Sequence, residues 1–114
     1  MIVKVFIKRK IQEGKESDVL HLLKQMRAKA MDYDGYISGE TLISTNNPME
    51  VMVISNWENL DCWAQWKNSQ SRANIDSKLE RLQDKPTEYE PFVYSKYWLS
   101  IKEEGWEKRK EGTW

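Results

Sequence analysis

Trp57, Trp63 and Trp66 are the residues of this chain best suited to chemistry on a flat, apolar molecule. An indole offers a broad apolar face and a single N–H donor, so a cluster of indoles can stack a planar ligand and also hold one of its oxygens. Trp63 and Trp66 fall on neighbouring positions of a helical segment, and Trp57 closes the strand before it. Together they predict an aromatic-lined pocket. The same side chains also fit a plainer role, the packing of a helix on a sheet. Asn56 and Asn59 flank Trp57-Glu58. The Asn56 amide suits a substrate carbonyl or enolate, and either Asn suits the N-cap of the helix that follows. The candidate substrate-binding set is Trp57, Trp63, Trp66 and Asn56, and no residue is assigned a catalytic role.

Other reactive groups are few. His21 is the only imidazole, which makes it the default general base. Its phase, roughly 200° around the helix from Val19, sets it opposite the apolar stripe and predicts a solvated histidine. Cys62 is a lone thiol with no adjacent His or basic residue to lower its pKa, so it is not expected to act as a nucleophile. The tyrosines Tyr33, Tyr36, Tyr89, Tyr94 and Tyr97 offer phenol donors, most of them expected in the sheet or at an interface. The sequence contains no Gly-rich phosphate loop and no Ser-His-Asp set.

The composition narrows the class. The chain has 114 residues, enough for one domain. Lys plus Arg is 18 and Asp plus Glu is 18, for a net charge of zero. That balance argues against nucleic acid or an anionic membrane as the partner. A single cysteine and a single histidine exclude an internal disulfide and a Cys- or multi-His metal site within one chain. No run approaches the length of a membrane span, and the charges of MIVKVFIKRK follow its apolar stretch, the reverse of a secretory signal. The expected setting is a reducing cytoplasm, with no cofactor and no metal. Six tryptophans in so short a chain remain to be accounted for.

The elements that must position these residues follow from periodicity. Val3, Val5 and Ile7 alternate with Ile2, Lys4, Phe6 and Lys8, a strand with apolar residues on both faces. Val19, Leu22, Leu23, Met26 and Ala30 recur at helical spacing and predict a helix over 17–33, with Ser17 or Asp18 as cap and Gly35 as its stop. Strands over 36–44 and 50–57 form a hairpin around Asn46-Asn47-Pro48. Helical pieces cover 58–67 and 70–83, and an aromatic strand covers 88–98, where Pro91 demands a sheet edge or a bulge. The order β-α-β-β-α-β predicts a ferredoxin-like α+β domain over 1–98, a four-stranded antiparallel sheet of order 4-1-3-2 with its helices on one face. The uncovered apolar face asks for a second copy packed sheet to sheet. The tail, 99–114, has no period and is expected to be a dimer clasp or without regular structure, with Trp98 buried against the partner.

Gly-Lys-Glu-Ser before the first helix, Gly35-Tyr36-Ile37-Ser38-Gly39-Glu40-Thr41, Ser55-Asn56-Trp57-Glu58, and Trp63 and Trp66 through Asn68-Ser69 resemble the antibiotic biosynthesis monooxygenase family, a branch of the dimeric α+β barrels. The resemblance covers about residues 1–98. It implies a homodimer whose sheets form a barrel, with a pocket between helices and sheet in each subunit. Some members oxidise aromatic polyketides with O₂ and neither metal nor flavin, and others degrade haem. The haem branch uses an axial histidine in the region matching Ala73–Ser77 and an Asn near Ile7-Lys8-Arg9. Neither is present here, so haem degradation is not expected. The polyketide branch resembles this chain at Trp57, but its polar Asn falls on Val53.

The resulting expectation is a cofactor-independent monooxygenase acting on an aromatic or quinol-like molecule in a Trp-lined pocket. The alternative is a non-catalytic small-molecule-binding or stress-linked dimer. An RNA-recognition module shares the element order, but strand three lacks the alternating aromatics that such modules expose.

Overall fold

The computed structural model describes residues 1–104. Its elements are β1 (Val3–Lys10), α1 (Glu16–Ala30), β2 (Tyr36–Ile43), β3 (Glu50–Trp57), α2 (Leu60–Lys67), α3 (Gln70–Glu80) and β4 (Glu88–Val93), followed by a 3₁₀ turn (Ser95–Tyr97) and α4 (Trp98–Glu103). The sheet runs β2-β3-β1-β4 and every pairing is antiparallel. This is the order expected from the sequence, and Pro91 sits on the edge strand β4, where its missing N–H does least harm.

Register sorts the side chains onto two faces. Val3 pairs with Trp57, Val5 with Ser55, Ile7 with Val53 and Arg9 with Val51, all towards the helices. Lys4 pairs with Asn56 and Phe6 with Ile54 on the opposite, open face. The covered face holds two apolar clusters. One is built on Val3, Val5, Ala30, Trp57, Trp63 and Trp66. The other is built on Ile11, Val19, Leu23, Val51, Ile75 and Leu79. Met26 packs against both.

Three local expectations change. Helix α1 starts from Lys15, which makes no side-chain cap bond, so neither Ser17 nor Asp18 caps it. Glu16 and Asp18 instead lie in its first turn, where a carboxylate favours the positive end of the helix. The last strand stops at Val93, because the chain turns into the 3₁₀ turn and α4 rather than running on to Trp98. Of the tail expected over 99–114, residues 99–103 are therefore helical. Trp98 is 74% exposed in the single chain. Trp106 and Trp114 lie outside the described residues.

Gly35 joins α1 to β2 with φ +84°. A Cβ there would stand 2.5 Å from Cys62 Sγ and 2.6 Å from Cys62 Cβ. The Gly35 carbonyl accepts from Glu58 N–H at 2.8 Å, which ties the turn to the start of α2. Conformation and space both exclude a side chain. Gly35→Ala is expected to cost about 2–4 kcal/mol, from a left-handed backbone combined with overpacking. A urea titration checks this, and a loss under about 0.5 kcal/mol would refute the tight contact.

Candidate active site

Between the two apolar clusters the covered face of the sheet leaves a cavity of about 50 Å³. Trp57 and Ser55 of β3, Ile7 and Arg9 of β1, Met26 and Arg27 of α1, and Trp66 of α2 line it, together with the half-buried Tyr36, Gly39 and Thr41 of the edge strand β2. Trp57 and Trp66 are stacked with centroids 6.4 Å apart. Tyr36 meets Trp57 edge-on at 5.3 Å, and Tyr33 meets Trp66 at 4.9 Å. These T-shaped contacts place a positive ring edge on a negative ring face. The Trp57 indole N–H donates to Ser55 Oγ at 3.2 Å, so it is already occupied.

The polar groups of the cavity are Arg9, Arg27, Tyr36, Thr41 and Ser55, and of these the sequence singles out only Tyr36, as a phenol donor. Arg9 is 3% exposed. It continues the alternation of Val3, Val5 and Ile7, so it must point towards the helices. That period-two signal was available in the sequence. Its Nη1 donates to Asp76 Oδ1 at 3.2 Å, Gln83 Oε1 at 2.8 Å and Thr87 Oγ1 at 3.0 Å. Its Nη2 reaches Asp76 Oδ1 at 3.2 Å and, weakly, Met26 Sδ at 4.0 Å. Its Nε is buried and has no hydrogen-bond partner among the described residues. A buried donor left unpaired costs about 1–3 kcal/mol.

Asp76 also stands 3.6 Å from Arg72. Two guanidinium groups therefore share its carboxylate, and Glu80 is one step further away, accepting from Thr87 Oγ1 at 2.6 Å. At the other side of the cavity Arg27 Nη2 donates to Thr41 Oγ1 at 2.9 Å. Tyr36 and Arg27 both crowd Gly39, where an added Cβ would lie 2.8 Å from Tyr36 Oη and 3.4 Å from Arg27 Nε. A side chain there would have to push the Tyr36 phenol aside. Burial raises the Tyr36 pKa, and the Arg27 charge opposes this more weakly. Tyr36 is thus a neutral phenol at physiological pH, a donor rather than a base.

A family model described as antibiotic biosynthesis monooxygenase matches residues 2–75. This chain belongs to that family. A curated relative, Protein SchA of Streptomyces halstedii, is 27% identical over 78 residues, 68% of this chain, and the chain spans only 20% of that protein's length. Among solved structures, a conserved protein from Methanosarcina mazei Go1 superposes with a TM-score of 0.78 at 19% identity, over 83% of this chain and 94% of that one. SnoaB, a cofactor-independent oxygenase from Streptomyces nogalater, superposes with a TM-score of 0.74 at 13% identity, over 82% and 92%. At these identities the likeness is one of fold.

In this antibiotic biosynthesis monooxygenase domain the four residues singled out from sequence separate. Trp57 and Trp66 line the cavity. Trp63, 1% exposed, turns instead towards Tyr89, 6.4 Å away between ring centroids, so it serves the apolar cluster rather than the cavity. Asn56 does not join them. It pairs with Lys4 on the open face and donates to Ser38 Oγ at 3.0 Å. The reason is the strand alternation: with Trp57 turned inward, its neighbour must turn outward. Asn59 is the helix cap, its Oδ1 accepting from Cys62 N–H at 2.8 Å. His21 is exposed and bonds Gln25 at 3.1 Å, as its helical phase predicts.

Proposed function

We propose that this chain is a cofactor-independent monooxygenase that oxidises an aromatic or quinol-like molecule with O₂. One observation carries the reading. The cavity is walled by two stacked indoles, its polar lining consists of guanidinium and hydroxyl groups, and no carboxylate or imidazole lines it among the described residues. Such a site has no general base to offer, but it favours a substrate that ionises by itself and then holds the anion. A delocalised carbanion or enolate can pass one electron to O₂, and recombination of the two radicals gives a peroxide. For an anthrone, loss of water from that peroxide turns CH₂ into C=O, so one O₂ yields one carbonyl and one water with no external reductant. The protein supplies a place to bind, a fixed field of donors and exclusion of bulk water.

Membership of the family and the fold shared with SnoaB support this reading. So do the segments that distinguish the haem branch: Arg9 and Asp76 occupy them here and are bonded to each other at 3.2 Å. The expected result is O₂ uptake with an anthrone- or menadiol-like compound, one O₂ per product, well above the uncatalysed rate. No uptake above background across such a panel would overturn the proposal.

One observation favours a non-catalytic binder as the second reading. The cavity volume of about 50 Å³ is a third of the roughly 150 Å³ of an apolar cavity known to take up benzene. A ring must therefore displace side chains of the lining, Met26 and Arg27 being the flexible ones. Saturable tryptophan quenching without turnover would select this reading.

The active unit is a homodimer, cytoplasmic, paired through the open sheet face. Phe92 and Leu42 are about half exposed on that face, Phe6 meets Phe92 edge-on at 5.3 Å, and the net charge is zero. Trp98 and Leu99 of α4 add further exposed apolar surface. Phe92→Asp is expected to shift the sedimentation coefficient from dimer to monomer. An unchanged dimer would remove the sheet face from the interface.

A further inference from the structure

We propose that Arg9 anchors the ligand of this cavity through its free Nε–H, and that the site therefore selects planar aromatic molecules carrying an ionised oxygen over their neutral isosteres. The inference rests on the reading of the cavity as a binding site and goes further in naming the recognising group and the charge it recognises.

The argument starts from donor accounting. A guanidinium has five N–H donors and no acceptor. In Arg9 the Nη1 donors are spent on Asp76, Gln83 and Thr87, and Nη2 spends one on Asp76. What remains is Nε, buried without a partner, and an Nη2 contact of 4.0 Å to the thioether of Met26. Met26 lines the cavity together with Arg9. The side of the guanidinium that meets Met26 thus holds a soft, weak acceptor where a strong one belongs. An entering oxygen that displaces the Met26 sulfur would satisfy Nε and complete the donor set.

Charge sets the preference. Arg9 and Arg72 share the single carboxylate of Asp76, and Arg27 lines the same cavity. Glu80 lies one hydrogen bond further through Thr87, so three guanidinium groups face two carboxylates; the local balance is positive, and in a low-dielectric site a charge-assisted hydrogen bond is the stronger kind. The cavity volume of about 50 Å³ suits an oxygen rather than a ring. The anionic end of the ligand would sit inside, with its ring towards the border near Tyr36 and Gly39.

The test uses 2-naphthoate and its neutral isostere 2-naphthamide, titrated into the full chain and read by quenching of tryptophan fluorescence. Wild type is expected to bind the carboxylate about 10- to 100-fold more tightly than the amide. Arg9→Lys keeps a cation for Asp76 but has no Nε donor, and should bring the two affinities within about threefold, with the circular dichroism spectrum unchanged. Should that variant misfold, Arg9→Met carries the same expectation. Arg27→Met should weaken both probes yet keep the preference.

Equal affinity in wild type, or a preference that survives at Arg9 and vanishes at Arg27, would overturn the assignment while leaving the cavity a binding site. Saturable quenching by neither probe would overturn the reading of the cavity and this inference with it.

Discussion

Trp57→Ala is expected to lower the unfolding free energy by about 3–5 kcal/mol. Trp57 is 0% exposed. It pairs with Val3 on β1 and with Tyr36 on β2, so it spans the centre of the sheet. Truncation removes the stack on Trp66, the edge contact with Tyr36 and the bond to Ser55. It also joins the new void to a cavity already present, which limits how far the walls can close, so the upper part of the range is expected. Because a domain of this size is stable by only about 5–15 kcal/mol, the variant would stand near the threshold of folding. The urea midpoint should fall with little change in slope. A loss below about 1 kcal/mol would contradict the position of Trp57 in the core. Trp57→Phe keeps an apolar ring and should recover more than half of the loss.

Asp76→Asn is expected to cost about 3–5 kcal/mol, for an electrostatic reason. The Arg9 side chain is only 1% exposed, and among the described residues Asp76 is its one ion-pair partner, at 3.2 Å. Amidation leaves a buried cation with only neutral acceptors, and Arg72 loses its ion pair to the same carboxylate. The double variant Arg9→Met, Asp76→Leu removes the charge as well as the partner. It should regain most of the lost stability, since a buried pair replaced by apolar side chains of similar size is often neutral. A double variant as unstable as Asp76→Asn would show that the cost is one of shape rather than of stranded charge. The same double variant removes the proposed ligand anchor, so it separates stability from binding.

Much of this molecule is legible along the chain. The alternation of Val3, Val5 and Ile7, the helical stripe through Val19, Leu23, Met26 and Ala30, and the breakers at Gly35 and Pro48 carry the element order and the sheet topology. These are periodic or local signals, repeated over many residues, and they survive small errors at the ends. The ends themselves depend on single bonds. The expected cap at Ser17 or Asp18 yielded to a turn from Lys15, and the last strand yielded to α4, because neither outcome is encoded in a repeated pattern.

The site behaved differently. Trp57 and Trp66 reach the cavity, but Trp63 faces Tyr89 and Asn56 lies on the other side of the sheet. Nearness in sequence had grouped residues that the pleat separates. Arg9 was legible in part: its phase in β1 places it inward. Nothing in the sequence shows that Asp76, Gln83 and Thr87 converge on it, because those residues are more than sixty positions away.

The chain by itself therefore determined a β-α-β-β-α-β domain, which residues of each strand share a face, and an unusual supply of tryptophan. Only the tertiary structure decided which indoles wall the cavity, that its polar lining is cationic, and that one buried donor is left over. Periodicity is a property of neighbours along the backbone, whereas a site is made where side chains from β1, α1, β2, β3 and α2 close on one volume, and that closure is set by packing.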